Sequence, residues 1–170
     1  MVNIFDDYLY IFFIHIFYMK IRLKLIESSE EIARVYDFLK AFPLEYPDYS
    51  DWLEKCRKEL KEGHKSGFYA KISSKIIGSI IFQKHKQQPS VLEIKNLRVA
   101  GEYKNKGVGT QLLDLTEELA KKKNFNCIQI DTHSENTDMI NFLLKRGFKI
   151  EKQEPLYNPK KQETILHKKI

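Results

Sequence analysis

The segment that most restricts the fold of this chain spans residues 91–123, where a strand pattern passes through a short basic loop into an amphipathic helix. Val91–Val99 is rich in apolar and β-branched residues, as is typical of a strand. A helix is predicted at 107–123, because its apolar side chains recur at spacings of four and three. These side chains are Val108, Leu112, Leu115 and Leu119.

The start of this helix has the features of an anion site. The first N–H groups of a helix have no acceptor within the helix, and the helix dipole adds partial positive charge there. Gly107 and Gly109 lack the Cβ atoms that would keep phosphate oxygens from these groups. The loop fits neither a Walker A motif, because Val108 stands where that motif needs lysine, nor a dinucleotide fingerprint, because Leu112 replaces its third glycine.

The remaining patterns predict an α+β domain in which helices cover a mixed sheet, in the order β-α-α-β-β-β-α-β-α-β-β. A capping box formed by Ser28 and Glu31 starts the first helix. The predicted strands lie at 20–26, 68–73, 76–82, 91–99, 127–130, 148–153 and 164–169, and the other helices at 50–63, 107–123 and 136–146.

Two segments in this order resemble motifs of the GNAT N-acetyltransferases. The loop YKNKGVG at 103–109 resembles the family's Q/R-x-x-G-x-G/A pyrophosphate loop, and NTDMINFLLKRGF at 136–148 resembles its N-x-x-A-x-x-F-Y-x-K-x-G-F helix. The resemblance covers about 20–170 and implies the GNAT fold with acetyl-CoA as co-substrate. It also implies direct transfer of the acetyl group to a primary amine.

The same resemblance assigns cofactor contacts to named positions. The backbone of Leu97 and Val99 would bind the pantetheine arm, and a backbone N–H near Val99 would polarise the thioester carbonyl. Asn136 would lie near the far end of the arm. Lysine at position 104 keeps the charge of the family's Gln or Arg but lacks a planar fork, so weaker cofactor binding is expected. The pyrophosphate would be held by Lys104, Asn105, Lys106, Gly107, Val108, Gly109 and Thr110.

The catalytic groups are less well defined by the sequence. Glu93, on the strand before the loop, is the candidate base, and an ion pair with Lys95 is the alternative role. Leu143 replaces the tyrosine that protonates the thiolate in the family, so Tyr157 is the candidate acid. His133 is a further candidate base, with helix capping or solvent exposure as the alternative.

Composition and charge limit the partners. The chain has 170 residues, enough for one domain, and a net charge of +6. Residues 143–170 hold eight Lys or Arg against three Glu, a net charge of +5, which favours CoA phosphates or an acidic acceptor. The acceptor could be a small molecule, a protein amine or an aminoacyl-tRNA. Two distant cysteines and five scattered histidines predict no disulfide and no metal site in a reducing cytoplasm.

The first 18 residues form an apolar extension ahead of a domain expected at 19–170. The run at 8–19 is shorter than the roughly 20 residues that a membrane span needs, and two aspartates precede it. Met19 is followed at once by Lys20 and an alternating strand pattern, so it is the expected natural start. A peripheral membrane or homodimer anchor is the rival role for residues 1–18.

Two other functions stay open. Leu143 and Lys104 also suit a non-catalytic acyl-CoA-binding module, and the basic surface alone would suit a nucleic-acid-binding domain. The acceptor itself depends on the loops at 42–52 and 155–161.

Overall fold

The computed structural model describes residues 21–170, so the apolar extension 1–18 and the expected start at Met19 lie outside the described residues. The strands are Arg22–Leu25 (β1), Ser66–Ile72 (β2), Lys75–Lys84 (β3), Val91–Val99 (β4), Cys127–His133 (β5), Lys149–Glu154 (β6) and Glu163–Lys169 (β7). The helices are Ser29–Ala41 (α1), Tyr49–Lys61 (α2), Val108–Lys122 (α3) and Thr137–Lys145 (α4), with a 3-10 turn at Gly101–Tyr103.

The predicted fold class and element order are confirmed. The described strands form one sheet in the order β1-β2-β3-β4-β5-β7-β6. The largest boundary difference is at β5, which was expected to end at Ile130 and continues to His133 because it pairs with β7 as far as Glu163. The prediction of the buried face of α3 was wrong in part, because Leu115 and Leu119 are only half-buried. The buried positions are Val108, Leu112, Leu113, Thr116, Glu117 and Ala120.

A split between two neighbouring strands defines the centre of the molecule. In the described sheet β4 and β5 run parallel, whereas the other neighbours are antiparallel. Their pairing ends at Ile94 and Ile130, although β4 stays paired with β3 to Val99. A register shift leaves Lys95 without a partner on β3, which is a β-bulge. Beyond Ile94, therefore, the edge of β4 that faces β5 has no strand partner among the described residues.

The two faces of the sheet are covered by different helices. Helices α1 and α2 cover one face, and α3 and α4 pack with the main core on the other. The start of α3 lies close to the sheet at Gly78, where an added Cβ would come within 2.9 Å of Val108 Cγ1 and 3.2 Å of Leu112 Cδ1. This close approach fixes the position of the helix start at the open end of the split.

The predicted capping box is present at the start of α1. Ser28 Oγ accepts from the Glu31 N–H at 3.1 Å, and Glu31 Oε2 accepts from the Ser28 N–H at 3.1 Å. The hydroxyl of Tyr69, on β2, donates to Glu31 Oε1 at 2.9 Å. The hydrogen bond from the Ser28 N–H and these further donors lower the pKa of Glu31 to about 2. No helix within 21–170 has the length and apolar character to cross a membrane.

Candidate active site

The split between β4 and β5 opens into a cavity of about 210 Å³, here called the central cavity. Its walls are residues 94–98 of β4 and 130–132 of β5, with Asn136 and Met139 at the start of α4. The loop between α1 and α2 covers it with Leu44, Tyr46 and Pro47, and Tyr157 closes it from the β6–β7 loop. Because β4 and β5 are parallel, the helices that follow them both begin at the same open edge.

The start of α3 offers unpaired N–H groups to this edge. No side chain of residues 21–170 caps the helix, so the N–H groups of Val108, Gly109 and Thr110 are available to an anion. Lys104, Asn105 and Lys106 are exposed beside them. Lys106 Nζ lies 5.6 Å from the centroid of the Tyr103 ring, within the range of a cation–π contact.

The two glycines of the loop have different roles. Gly107 has φ of +78°, in the left-handed region where L residues are strained, and an added Cβ would meet nothing nearer than 3.9 Å. An added Cβ at Gly109 would meet Val99 at 3.7 Å and Phe142 at 3.8 Å. The backbone conformation thus explains the glycine at position 107. At position 109 a side chain would instead contact β4 and α4.

The structure places the other predicted cofactor residues around the split. Leu97 lines the central cavity, and Val99 lies at the end of β4 next to Gly109. Asn136 is the N-cap of α4: its Oδ1 accepts from the Met139 N–H at 3.3 Å and its Nδ2 donates to Thr132 Oγ1 at 3.2 Å. Asn136 therefore reaches the cavity wall while it caps the helix.

Glu93 lies outside the central cavity and lines a neighbouring one. It accepts hydrogen bonds from Gln83 Nε2 at 2.8 Å and from Lys95 Nζ at 3.0 Å, so the alternative ion pair is present. Burial raises the pKa of Glu93, but Lys95 and Gln83 outweigh it and the net shift is downward. Its role as base stays a prediction.

Asp131, which sequence reasoning missed, does line the central cavity. The Tyr157 hydroxyl donates to Asp131 Oδ2 at 3.0 Å. Burial raises the pKa of Asp131, against the opposing effects of Lys95 and of this hydrogen bond. Although 45% of the Tyr157 surface is exposed, burial of its hydroxyl end and the adjacent Asp131 raise the pKa of Tyr157 well above its usual range. Tyr157 therefore keeps its phenol proton beside the carboxyl group of Asp131.

An aromatic group surrounds this pair. The Tyr46 ring stacks on His133 with centroids 4.2 Å apart and meets Tyr157 edge-on at 5.1 Å. His133 Nδ1 lies 3.2 Å from Glu163 Oε1, but without hydrogen-bond alignment. His133 does not cap α4, because Asn136 takes that position. His133 instead supports Tyr46 over the cavity.

Two polar side chains of β4 complete the wall. Asn96 is 4% exposed, and neither its Oδ1 nor its Nδ2 has a hydrogen-bond partner within residues 21–170. Arg98 Nη2 donates to the Pro43 carbonyl at 2.6 Å and so anchors the loop over the cavity, while burial lowers the pKa of Arg98. Leu143 is fully buried in the core, so α4 supplies no hydroxyl at that position. Within 21–170, no group of three or more His, Cys, Asp or Glu side chains could hold a metal ion.

A split parallel pair, an uncapped helix start at its open edge and a cavity beside it together suit a protein that binds an acyl-CoA between two strands. The model of the acetyltransferase (GNAT) family matches residues 32–148, which is more than half of the chain. The chain belongs to this family, so the predicted family is confirmed, and it is an acetyltransferase. Among curated proteins none matches the sequence.

Solved structures share the fold at low sequence identity. A GNAT acetyltransferase from Desulfovibrio desulfuricans has a TM-score of 0.78 at 12% identity, over 88% of this chain and 99% of that one. The PaiA N-acetyltransferase of Thermoplasma acidophilum, in complex with coenzyme A, gives 0.68 at 20% identity, over 89% and 100%. The ribosomal-protein-S18-alanine N-acetyltransferase of Escherichia coli gives 0.68 at 16% identity, over 89% and 94%.

Proposed function

We propose that this chain transfers the acetyl group of acetyl-CoA to a primary amine, with Asp131 as the base. The observation that carries the proposal is the carboxylate of Asp131 in a cavity that adjoins the split between β4 and β5. Bound acetyl-CoA supplies a thioester carbonyl for attack and a thiolate as leaving group. The start of α3 suits its pyrophosphate, and the unpaired edge of β4 at Leu97 and Val99 suits its pantetheine arm.

The walls of the central cavity favour an amine as acceptor. A primary amine is an ammonium ion at neutral pH, and ammonium ions are attracted to the faces of aromatic rings and to carboxylates. Tyr46, Tyr49, Trp52 and Tyr157 supply rings, and Asp131 supplies the carboxylate. An amine held here would lie beside the unpaired edge of β4.

Asp131 and Tyr157 can act as a pair in proton transfer, from the amine and to the departing sulfur. The ammonium ion must lose a proton before its nitrogen can attack, and a carboxylate whose pKa is raised accepts that proton more readily. Tyr157 donates to the same carboxyl group and keeps its own proton. As the C–S bond breaks, Tyr157 can give its proton to the departing sulfur and regain one from the protonated Asp131. Asp131 then takes the second proton of the nitrogen, which becomes an amide, and releases that proton to water.

The test compares Asp131→Asn and Tyr157→Phe with Glu93→Gln, by thiol release from acetyl-CoA in the presence of an alkylamine, a lysine peptide, a peptide with a free N-terminus and an aminoacyl-tRNA. Loss of a general base costs about 10²–10⁴ in rate, so Asp131→Asn should lose this much. Glu93→Gln should retain turnover. All three should keep the increase in melting temperature that acetyl-CoA causes. Full activity of Asp131→Asn together with loss in Glu93→Gln would transfer the role to Glu93.

A non-catalytic acyl-CoA-binding module is the second candidate, and the buried Leu143 favours it because α4 then provides no acid. This function predicts stabilisation by acetyl-CoA with no thiol release above the hydrolysis control for any of the four amines.

A further inference from the structure

A second cavity of about 350 Å³ lies next to the central cavity and shares Trp52 and Lys95 with it. We call it the basic cavity. It lies between α2 and the β3–β4 hairpin, and the ionisable groups that carry its chemistry are Lys55, Glu59, Lys65, His85, Lys86, Glu93 and Lys95.

Two ion pairs within the basic cavity neutralise part of its positive charge. Lys65 contacts Glu59, and Lys95 Nζ lies 3.0 Å from Glu93 Oε1, with all four side chains less than a fifth exposed. Lys55 and Lys86 have no ion-pair partner within residues 21–170. The cavity therefore has a net charge of +2 when His85 is neutral, and this charge resides on two uncommitted ammonium groups.

The positive charges converge on one region. Burial raises the pKa of Glu59, but Lys65 and then Lys55 and Lys86 outweigh it, so the net shift is downward. A single carboxylate thus feels three lysines from different elements. The same field acts on any further anion that enters the cavity.

His85 adds an oriented hydrogen-bond donor. Its Nδ1 accepts from the backbone N–H groups of Gln87, at 3.2 Å, and Gln88, at 3.0 Å. In the neutral ring the proton is therefore on Nε2, which makes Nε2 a donor. Two ammonium groups and one N–H donor complement the oxygens of a carboxylate or a phosphate.

We propose that the basic cavity binds an anionic group, a carboxylate or a phosphate, on the same acceptor whose amine lies at Asp131. The inference rests on the proposed function, since it extends the acceptor from the central cavity past Trp52 and Lys95. It makes the substrate class an amine with a distant negative charge rather than a simple alkylamine.

The experiment uses alkylamines of several chain lengths whose far end is a methyl, a carboxylate or a phosphate group. The kcat and KM values are measured for the wild type, for Lys55→Gln/Lys86→Gln, and for Lys121→Gln/Lys122→Gln at the end of α3 as a control with the same change in net charge. At the favoured length, KM for the anionic amines should be at least about tenfold lower than for the methyl amines. Only Lys55→Gln/Lys86→Gln should remove this preference, through KM with kcat unchanged. The carboxylate and phosphate series identify which anion fits.

A binding measurement separates the two claims. With coenzyme A saturating, so that the anion site at the start of α3 is filled, inorganic phosphate or glutarate should raise the melting temperature of the wild type and of the control, but not of Lys55→Gln/Lys86→Gln. Turnover with no preference for anionic amines would overturn the anion site and leave the proposed function intact. Anion binding that needs Lys55 and Lys86, with no turnover on any amine, would overturn the proposed function instead.

Discussion

The position before α3 allows a sharp test of the cofactor loop with two isosteric variants, Gly107→Asp and Gly107→Asn. Gly107 has φ of +78°, and an added Cβ meets no atom of the described part of the chain nearer than 3.9 Å. Asn and Asp enter the left-handed region more easily than other L residues, and Asn105 in the same loop already has φ of 59°. Both variants should therefore fold with similar strain and differ only in charge.

The added charge should have opposite effects with and without ligand. A carboxylate at a helix start gains about 0.3–1 kcal/mol from the helix dipole, so ligand-free Gly107→Asp should melt about 1–3 °C above Gly107→Asn. Two like charges about 6 Å apart at an effective dielectric constant of about 20 repel by about 3 kcal/mol, which weakens binding about a hundredfold. Acetyl-CoA at about 100 times the wild-type Kd stabilises by about 2.7 kcal/mol, or about 5–10 °C, whereas Gly107→Asp should shift by about 1 °C.

Thermal melting with and without acetyl-CoA measures both effects, and Gly63 provides the control. Gly63 has φ of +74° and no atom of residues 21–170 lies within 4 Å of an added Cβ, but it follows the C-terminal end of α2. There the dipole disfavours a negative charge, so Gly63→Asp should melt below Gly63→Asn, and both should respond fully to acetyl-CoA. Equal ligand shifts in the two Gly107 variants would show that the pyrophosphate does not lie at the start of α3.

The remaining predictions concern the acceptor site and the capping box. The acidic limb of the pH profile of kcat/KM should lie above the usual carboxyl value of Asp near 3.9, because burial raises the pKa of Asp131, and Asp131→Asn should remove that limb. Asn96→Leu should raise the melting temperature by a few degrees, because it replaces two unpaired buried polar atoms, and should lower kcat/KM for the acceptor; a lower melting temperature would show that the amide is satisfied. Glu31→Ala should lower the free energy of unfolding at pH 7 by about 1–2 kcal/mol. Because the folded pKa of Glu31 is depressed to about 2, this difference should be complete above pH 4.5 and vanish as pH falls towards 2; a gap that persists at pH 2 in urea unfolding would contradict it.

The parts of the fold that sequence predicted well depend on residues close together in the chain. The capping box joins Ser28 to Glu31, and the loop at 103–109 is contiguous with the helix that it precedes. Such local patterns fix where elements begin, and β4 was predicted with its exact bounds. The buried face of α3 was predicted less well, because the helix packs on several strands and its burial depends on their positions rather than on its own periodicity.

The catalytic prediction was limited by features that a single sequence does not show. Glu93 follows the strand alternation, but the β-bulge at Lys95 interrupts that alternation, and Glu93 lies beside the basic cavity. Asp131 carried one available signal, a carboxylate at the end of an apolar strand. It was missed because the strand was ended at Ile130, before its pairing with β7 was known.

The proposed site has a donor half for the cofactor and an acceptor half for the amine, and the two are built from different kinds of atoms. This difference explains why only the donor half was predicted from the sequence. The proposed donor half consists of backbone groups at the start of α3 and along β4, and the helix start is encoded by a contiguous glycine loop. The proposed acceptor half consists of side chains from three distant segments: Tyr157 contacts Tyr46 on one side and Asp131 on the other. Neither tyrosine belongs to the loop at 100–107. Substitutions of Tyr46 and Tyr157 can therefore change the acceptor while the cofactor site is kept.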